Sequence, residues 1–257
     1  MDIIQNQILA PFTTFKIGGP AEHFCEAKTI SDLKLAVKLA KINHWPVTIL
    51  GKGSNILIPD KGLKGLVIKN STAKIRLLPH QRVELDSGVF LPKAIMHLIN
   101  HGLTGLEAFA GIPATVGGAT AVAMHGVGHL WSEFVIKTTK YQGVILTVTV
   151  QLKPGDSEAA RRLVKTIQLK KAHQPQQSSG CIFKNPPGQS SGAIIDQQLH
   201  LKGRQLGQAQ ISRRHANFIV NLGGAKSADV RQLIKLIQTQ AKTKLNLNLE
   251  PEIIIYG

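Results

Sequence analysis

Apolar positions along this chain follow two rhythms, one helical and one of short runs. From Ser31 to His44, Leu33, Ala36, Val37 and Ala40 share one helical face, with Ser31 placed to cap the helix and Asp32 beside its positive end. Pro46 stops that helix, and Val47-Thr48-Ile49-Leu50 forms a short apolar strand running into Gly51. Leu66 to Lys69 and Val83 to Leu85 predict further strands. Leu91 to His101 predicts a second helix, with Pro92 in its first turn and Gly102 after its end. Gly143 to Leu152 alternates as a strand does, and Pro154-Gly155-Asp156 ends it.

The composition changes after that turn. Ser157 to His173 reads as a basic helix, His173 to Gly192 as a loop rich in Gln, Ser, Gly and Pro. A third clear helix spans Ser227 to Leu245, with Val230, Ile234 and Ile237 inside it, and Glu252 to Tyr256 predicts a terminal strand. No internal repeat is present. Mixed strands and helices in this order predict an α+β fold with a boundary near residues 153 to 160.

A chain of 257 residues can bury one large core or two modest ones, and 43% apolar with 18% charged residues is an ordinary globular composition. No apolar run approaches the roughly 18 residues of a membrane span, and no secretory signal pattern opens the sequence. Two cysteines, Cys25 and Cys181, make no disulfide framework, so the expectation is a soluble protein of a reducing cytoplasm. The net charge of +16 admits three readings: nucleic acid, a positive cleft for phosphorylated small molecules, or a merely basic proteome. Dispersed basic residues and 5% aromatics disfavour nucleic acid, but charge alone does not decide.

Two glycine-rich segments carry candidate chemistry. Gly51-Lys52-Gly53-Ser54-Asn55 follows a strand, and glycines there let successive N–H groups approach a phosphate. Gly111-Ile112-Pro113-Ala114-Thr115-Val116-Gly117-Gly118 likewise suits a flat ring or a pyrophosphate. The first matches neither the six-position dinucleotide fingerprint nor the Walker loop, and either segment alone reads equally as an ordinary tight turn.

Six segments in order carry a resemblance. They are Thr14–Ala21, Leu50–Asn55 with Asp60 and Gly62, Ala110–Ala119, Ser179–Pro186, His215–Asn221 and Leu249–Glu252. Together they resemble the UDP-N-acetylenolpyruvoylglucosamine reductase (UDP-N-acetylmuramate dehydrogenase) family of peptidoglycan synthesis, from about Thr13 to Gly257. The resemblance implies a flavin-binding domain of the vanillyl-alcohol-oxidase (PCMH) type over residues 13–154 and a smaller α+β substrate domain over 155–257. It implies FAD on the two glycine segments, NADPH as reductant, and a UDP-sugar enol ether as substrate. No metal, nucleic acid, membrane or obligate protein partner is expected. Cys181 stands where the family carries its Ser or Cys proton donor, and Glu252 matches its carboxylate near the C-terminus. Lys184 and Asn185 match positions that contact substrate, whereas Cys25 has only a structural reading.

The match departs from the family at two places. Ser132 to Val135 runs almost directly into Ile136 to Gln142, so the segment around the family's catalytic arginine is deleted, and Lys137 takes its place. Lysine keeps the charge but loses the planar fork that grips a carboxylate. Lys137 is therefore a weaker electrophilic stabiliser or a surface lysine. The family's Met-Asn-Ala-Gly stretch becomes Val122-Ala123-Met124-His125-Gly126. The alternative function is accordingly a degenerate, weakly active or inactive homologue that binds FAD or a nucleotide sugar. His97, His101, His125, His129 and His215 carry no assignment.

Overall fold

The computed structural model describes all residues, 1–257, and the chain forms two compact units. The first comprises Met1–Ile4, His23–Lys52 and Gly65–Ala172; the second comprises Gln5–Glu22, Gly53–Lys64 and His173–Gly257. Both mix helices and strands, so the architecture is α+β.

In the first unit the strand Val47–Leu50 pairs in parallel with its neighbour, Val47 opposite Leu66 and Leu50 opposite Lys69. Helix Ile30–Ile42 buries Leu33, Ala36, Val37 and Ala40 against Leu66, Ile68, Cys25 and Leu146. It begins earlier than the sequence pattern predicts, because Thr29 and not Ser31 caps it. The Thr29 hydroxyl accepts from the Asp32 amide at 3.1 Å, and the Asp32 carboxylate accepts from the Thr29 amide at 2.9 Å. This reciprocal box satisfies two otherwise orphaned donors.

An antiparallel sheet in the order Ile75–Leu78, Arg82–Asp86, Val144–Gln151, Val135–Tyr141 completes that unit. Its inner face meets helix Leu91–Asn100, which presents Leu91, Ile95 and Leu98, and helix Ser157–Ala172, which presents Ala160 and Val164. Phe109 and Trp131 stack edge to face in this core, with ring centroids 5.6 Å apart.

In the second unit helix Ser227–Leu245 packs Val230, Leu233, Ile234 and Ile237 on a three-stranded sheet of Gln205–Leu206, Ala209–Ile211 and Ile219–Asn221. Phe15, Ile17 and Leu57 join the same core, which explains why the early segments belong here. Asp60 fixes the helix start: its carboxylate accepts from the amides of Ser227 at 2.7 Å and Ala228 at 3.0 Å. An anion at a helix N-terminus opposes the macrodipole and satisfies two free donors. The terminal strand is shorter than the predicted Glu252 to Tyr256. Only Ile254–Ile255 is extended, in parallel pairing with Ile56–Leu57. No helix is long and apolar enough to cross a membrane.

Candidate functional site

The two glycine-rich segments meet inside the first unit. Gly51 lies so close to Thr115 that an added Cβ would sit 2.6 Å from the Thr115 Oγ1. Thr115 in turn accepts from the Gly118 amide at 3.2 Å and starts the short helix Val116–Ala121. The Gly117 amide donates to the Ser87 carbonyl at 2.7 Å, and a Cβ there would meet that oxygen at 2.9 Å. Gly111 lies under the stem of Lys171. A Cβ at Gly51 would crowd Thr115 and one at Gly117 would crowd the Ser87 backbone, so these two glycines are a packing requirement as well as an opening for a ligand.

Beside this junction lies a cavity of about 490 Å³, lined among others by Lys52, Lys69, Asn70, Gly88, Phe90 and Thr115. The Lys52 ammonium stands over the Phe90 ring, 4.9 Å from its centroid. No carboxylate lines the cavity. Lys69 donates to the Gly51 carbonyl. Burial, and secondly the Lys52 charge, pulls its ammonium below the usual lysine range, with Glu26 opposing. A glycine cradle beside a cation-lined, carboxylate-free cavity fits the diphosphate of a flavin dinucleotide.

The remainder of the first segment belongs to the second unit. Gly53 adopts φ +61 and backs onto the Phe12 carbonyl, 2.6 Å from where a Cβ would stand. The Asn55 side chain donates to the Glu252 carbonyl at 3.3 Å, and the Ile254 amide donates to the Asn55 carbonyl at 2.9 Å. Glu252 donates its amide to the Ile182 carbonyl at 2.8 Å, and Lys184 donates to the Glu250 carbonyl at 2.9 Å. The Cys181 loop therefore runs antiparallel beside Glu250–Glu252, with Phe183 paired to Pro251. Within one unit, Asn55, Glu252 and Ile182, the residue that follows Cys181, are joined by successive hydrogen bonds.

Asn217 braces this loop. Its side chain accepts from the Phe183 amide at 2.9 Å and donates to the Phe183 carbonyl at 2.8 Å, while its own carbonyl accepts from Ile182 at 2.8 Å. The His215 Nδ1 accepts from the Asn217 amide at 3.2 Å, and burial holds that imidazole below its ordinary value. Sequence reasoning placed Asn217 and His215 in a motif without giving either a task; an Asn or His two residues apart signals only a turn. Ser179 adds a buried hydroxyl with no hydrogen-bond partner, two residues before Cys181.

Cys181 is partly exposed, whereas Cys25 is fully buried and its thiol is pushed up to about 11 by burial, which leaves it a packing residue. Lys184 forms an ion pair with Glu250, and both are more than half exposed. Asn185 accepts from the Ser191 amide at 3.0 Å. Lys137 belongs to the first unit, where it is an exposed residue of the strand Val135–Tyr141 paired with Thr149. No group of His, Cys, Asp or Glu is arranged to hold a metal ion.

A glycine-cradled, cation-lined unit of this construction is that of an FAD-binding protein, and the profile described as "FAD binding domain" matches residues 21–146. The profile for the C-terminal domain of UDP-N-acetylenolpyruvoylglucosamine reductase matches residues 156–256. The chain belongs to the UDP-N-acetylenolpyruvoylglucosamine reductase family. A relative of that name from Chlamydia muridarum is 38% identical over 95% of this chain and 91% of its own length. One from Moorella thermoacetica is 30% identical over 100% of this chain and 94% of its own. The latter alignment spans 285 positions against 257 residues here, so about 28 positions of that relative have no counterpart. The crystal structure of the enzyme of that name from Thermus caldophilus superposes with a TM-score of 0.83 at 30% identity, covering 100% of this chain and 98% of that one.

Proposed function

We propose that this chain reduces UDP-N-acetylglucosamine enolpyruvate to UDP-N-acetylmuramate in peptidoglycan synthesis, with FAD as cofactor and NADPH as reductant. The observation that carries this reading is the contact chain Asn55–Glu252–Ile182, which joins the cofactor segment to the proton-donor loop. Once bound and reduced by NADPH, the flavin would supply the hydride that the substrate's alkene receives. Adding hydride to that alkene leaves negative charge next to a carboxylate, and the protein must stabilise and then protonate it.

Cys181 is the proton donor in this account. A thiol carries a proton that it can deliver to the carbon where the negative charge develops. Glu252, whose backbone amide is bonded to the Ile182 carbonyl one residue after Cys181, helps polarise and protonate the enolate. Lys184 and Asn185, a cation and an amide, contact a carboxylate or phosphate of the substrate, which requires Lys184 to exchange Glu250 for a substrate anion. Lys137 stands in for the arginine as an electrophilic stabiliser. Gly51, Lys52, Gly53, Ser54 and Asn55, with Gly111, Ile112, Pro113, Thr115, Gly117 and Gly118, hold the cofactor. Residues 13–154 thus serve FAD and residues 155–257 the UDP-sugar, and the cytoplasm, where NADPH is available, is the place of reaction.

The exposed Lys137 and the missing positions favour a second reading, a homologue that binds FAD or a nucleotide sugar with little turnover. Oxidation of NADPH that depends on added UDP-N-acetylglucosamine enolpyruvate supports the first reading. Flavin binding without it supports the second.

A further inference from the structure

The segment that carries Glu252 is fastened on both sides of that residue to one helix of the second unit. From helix Ser227–Leu245 the Gln238 side chain donates to the Leu249 carbonyl at 3.0 Å, three residues before Glu252. The Arg231 guanidinium donates to the Tyr256 carbonyl, four residues after it. Arg231 and Gln238 stand seven positions apart, which is two turns of an α-helix, so they share one side of it. Ile234, between them on that side, is buried in the core of the unit.

The strand between these anchors needs them. Its ladder is only Ile254–Ile255 beside Ile56–Leu57, with the Ile254 amide on the Asn55 carbonyl at 2.9 Å and the Tyr256 amide on the Leu57 carbonyl at 3.1 Å. Side chains alternate along an extended chain, so Ile253 is buried while Glu252 and Ile254 are exposed. A slip of one residue would exchange those faces and turn the Glu252 carboxylate to the opposite side. Two paired residues are a weak guard against such a slip, whereas two side chains gripping fixed carbonyls from a rigid helix oppose it directly. The same helix receives Asp60 on its Ser227 and Ala228 amides, at 2.7 Å and 3.0 Å, so the segment that carries Asn55 is referred to the same body.

We propose that Arg231 and Gln238 are positioning residues for Glu252: by holding the carbonyls of Tyr256 and Leu249 they pin the register of the last strand, and with it the face on which that carboxylate stands. Both act through the backbone and not on the substrate. The proposal rests on the reading above, in which Glu252 serves the enolate, and adds what keeps it in place.

The test compares full-length, flavin-loaded wild type with Arg231→Met, Gln238→Met and Arg231→Lys by stopped-flow absorbance of the two half-reactions and by amide hydrogen exchange. NADPH bleaches the flavin at the wild-type rate in all four, because Glu252 has no part in that step. Return of colour on adding the enol ether slows roughly tenfold or more in both Met variants, the scale expected when a reacting group is displaced by under about 1 Å. Arg231→Lys keeps a donor for the Tyr256 carbonyl and recovers part of that loss. Exchange at the amides of Glu252, Ile254 and Tyr256 becomes faster in the Met variants, and that of the strand Ala209–Ile211 does not. Equal slowing of both half-reactions marks a general structural defect and overturns the proposal, as does unchanged colour return or unchanged exchange at the three amides. A wild type that NADPH bleaches but the enol ether does not restore removes the reductase reading instead, a separate result, and the exchange rates still report whether the two side chains hold the strand.

Discussion

Asn55 and Glu252 stand 197 residues apart in sequence, yet the side-chain amide of the first donates to the carbonyl of the second at 3.3 Å. The same asparagine's carbonyl accepts from Ile254, so the end of the first glycine-rich segment is stitched to the terminal strand. The end of the first glycine-rich segment and the Cys181 loop are thereby both hydrogen-bonded to the stretch Glu250–Ile254 within one unit.

Cys181→Ala tests the proton donor. In this variant the bound flavin is expected to bleach on addition of NADPH as in the wild type, because no role in that half-reaction falls to the thiol. Addition of the enol ether should then fail to restore the yellow colour. Stopped-flow absorbance reads both halves, and normal recovery of colour removes Cys181 from its role.

Asn217 is 3% exposed and satisfies both backbone groups of Phe183. Replacing it by alanine orphans a buried N–H and a buried C=O, at about 1–3 kcal/mol each, so a loss of roughly 2–6 kcal/mol is expected in urea unfolding. A loss under about 1 kcal/mol means that water replaces the side chain without penalty.

The depressed ionisation of His215 makes stability depend on pH. The unfolded chain takes up a proton near the ordinary value of 6.5, while the folded chain resists until lower pH because the imidazole is buried. Stability attached to this group is therefore complete above 6.5 and falls as pH drops from there through the folded value. Protonation of Nδ1 also ends its acceptance from the Asn217 amide, loosening the brace on the Cys181 loop. Melting temperature should fall on acidification below that point in the wild type and fall less steeply in His215→Gln. Parallel curves for the two proteins contradict the assignment.

Lys137 carries the remaining catalytic assignment. If it stabilises the developing charge, Lys137→Ala loses on the order of 10²–10³ in turnover, and Lys137→Arg, with its bidentate fork, gains. Steady-state rates of the three proteins decide, and equal rates in both variants mark the residue as a bystander.

Much of this was legible in the sequence where local chemistry is strong. The stripe Leu33, Ala36, Val37, Ala40, the proline and glycine bracketing Leu91–Asn100, and the run from Ser227 to Leu245 each yielded a helix where the pattern put one. The α+β class followed from them. The cap at Thr29 was missed because Ser31 is an equally good capping residue, and only the Asp32 contact discriminates. The strand Val135–Tyr141 was hidden by its polar face, and the three short strands between Gln205 and Asn221 are too brief to show a period. Residues 5–22 and 53–64 join the second unit through Phe15, Ile17, Leu57 and Asp60, contacts across more than 100 residues that no local pattern announces. The same holds for the site: the glycine motifs were visible in sequence, but the Lys69 contact and the Asn217 brace exist only in three dimensions.

The most direct test is NADPH oxidation by the purified chain, followed by absorbance with and without UDP-N-acetylglucosamine enolpyruvate. The account predicts a yellow protein whose consumption of NADPH needs the enol ether and yields UDP-N-acetylmuramate in equal amount. A yellow protein with no such dependence contradicts the reductase assignment, and a colourless one contradicts the flavin site as well.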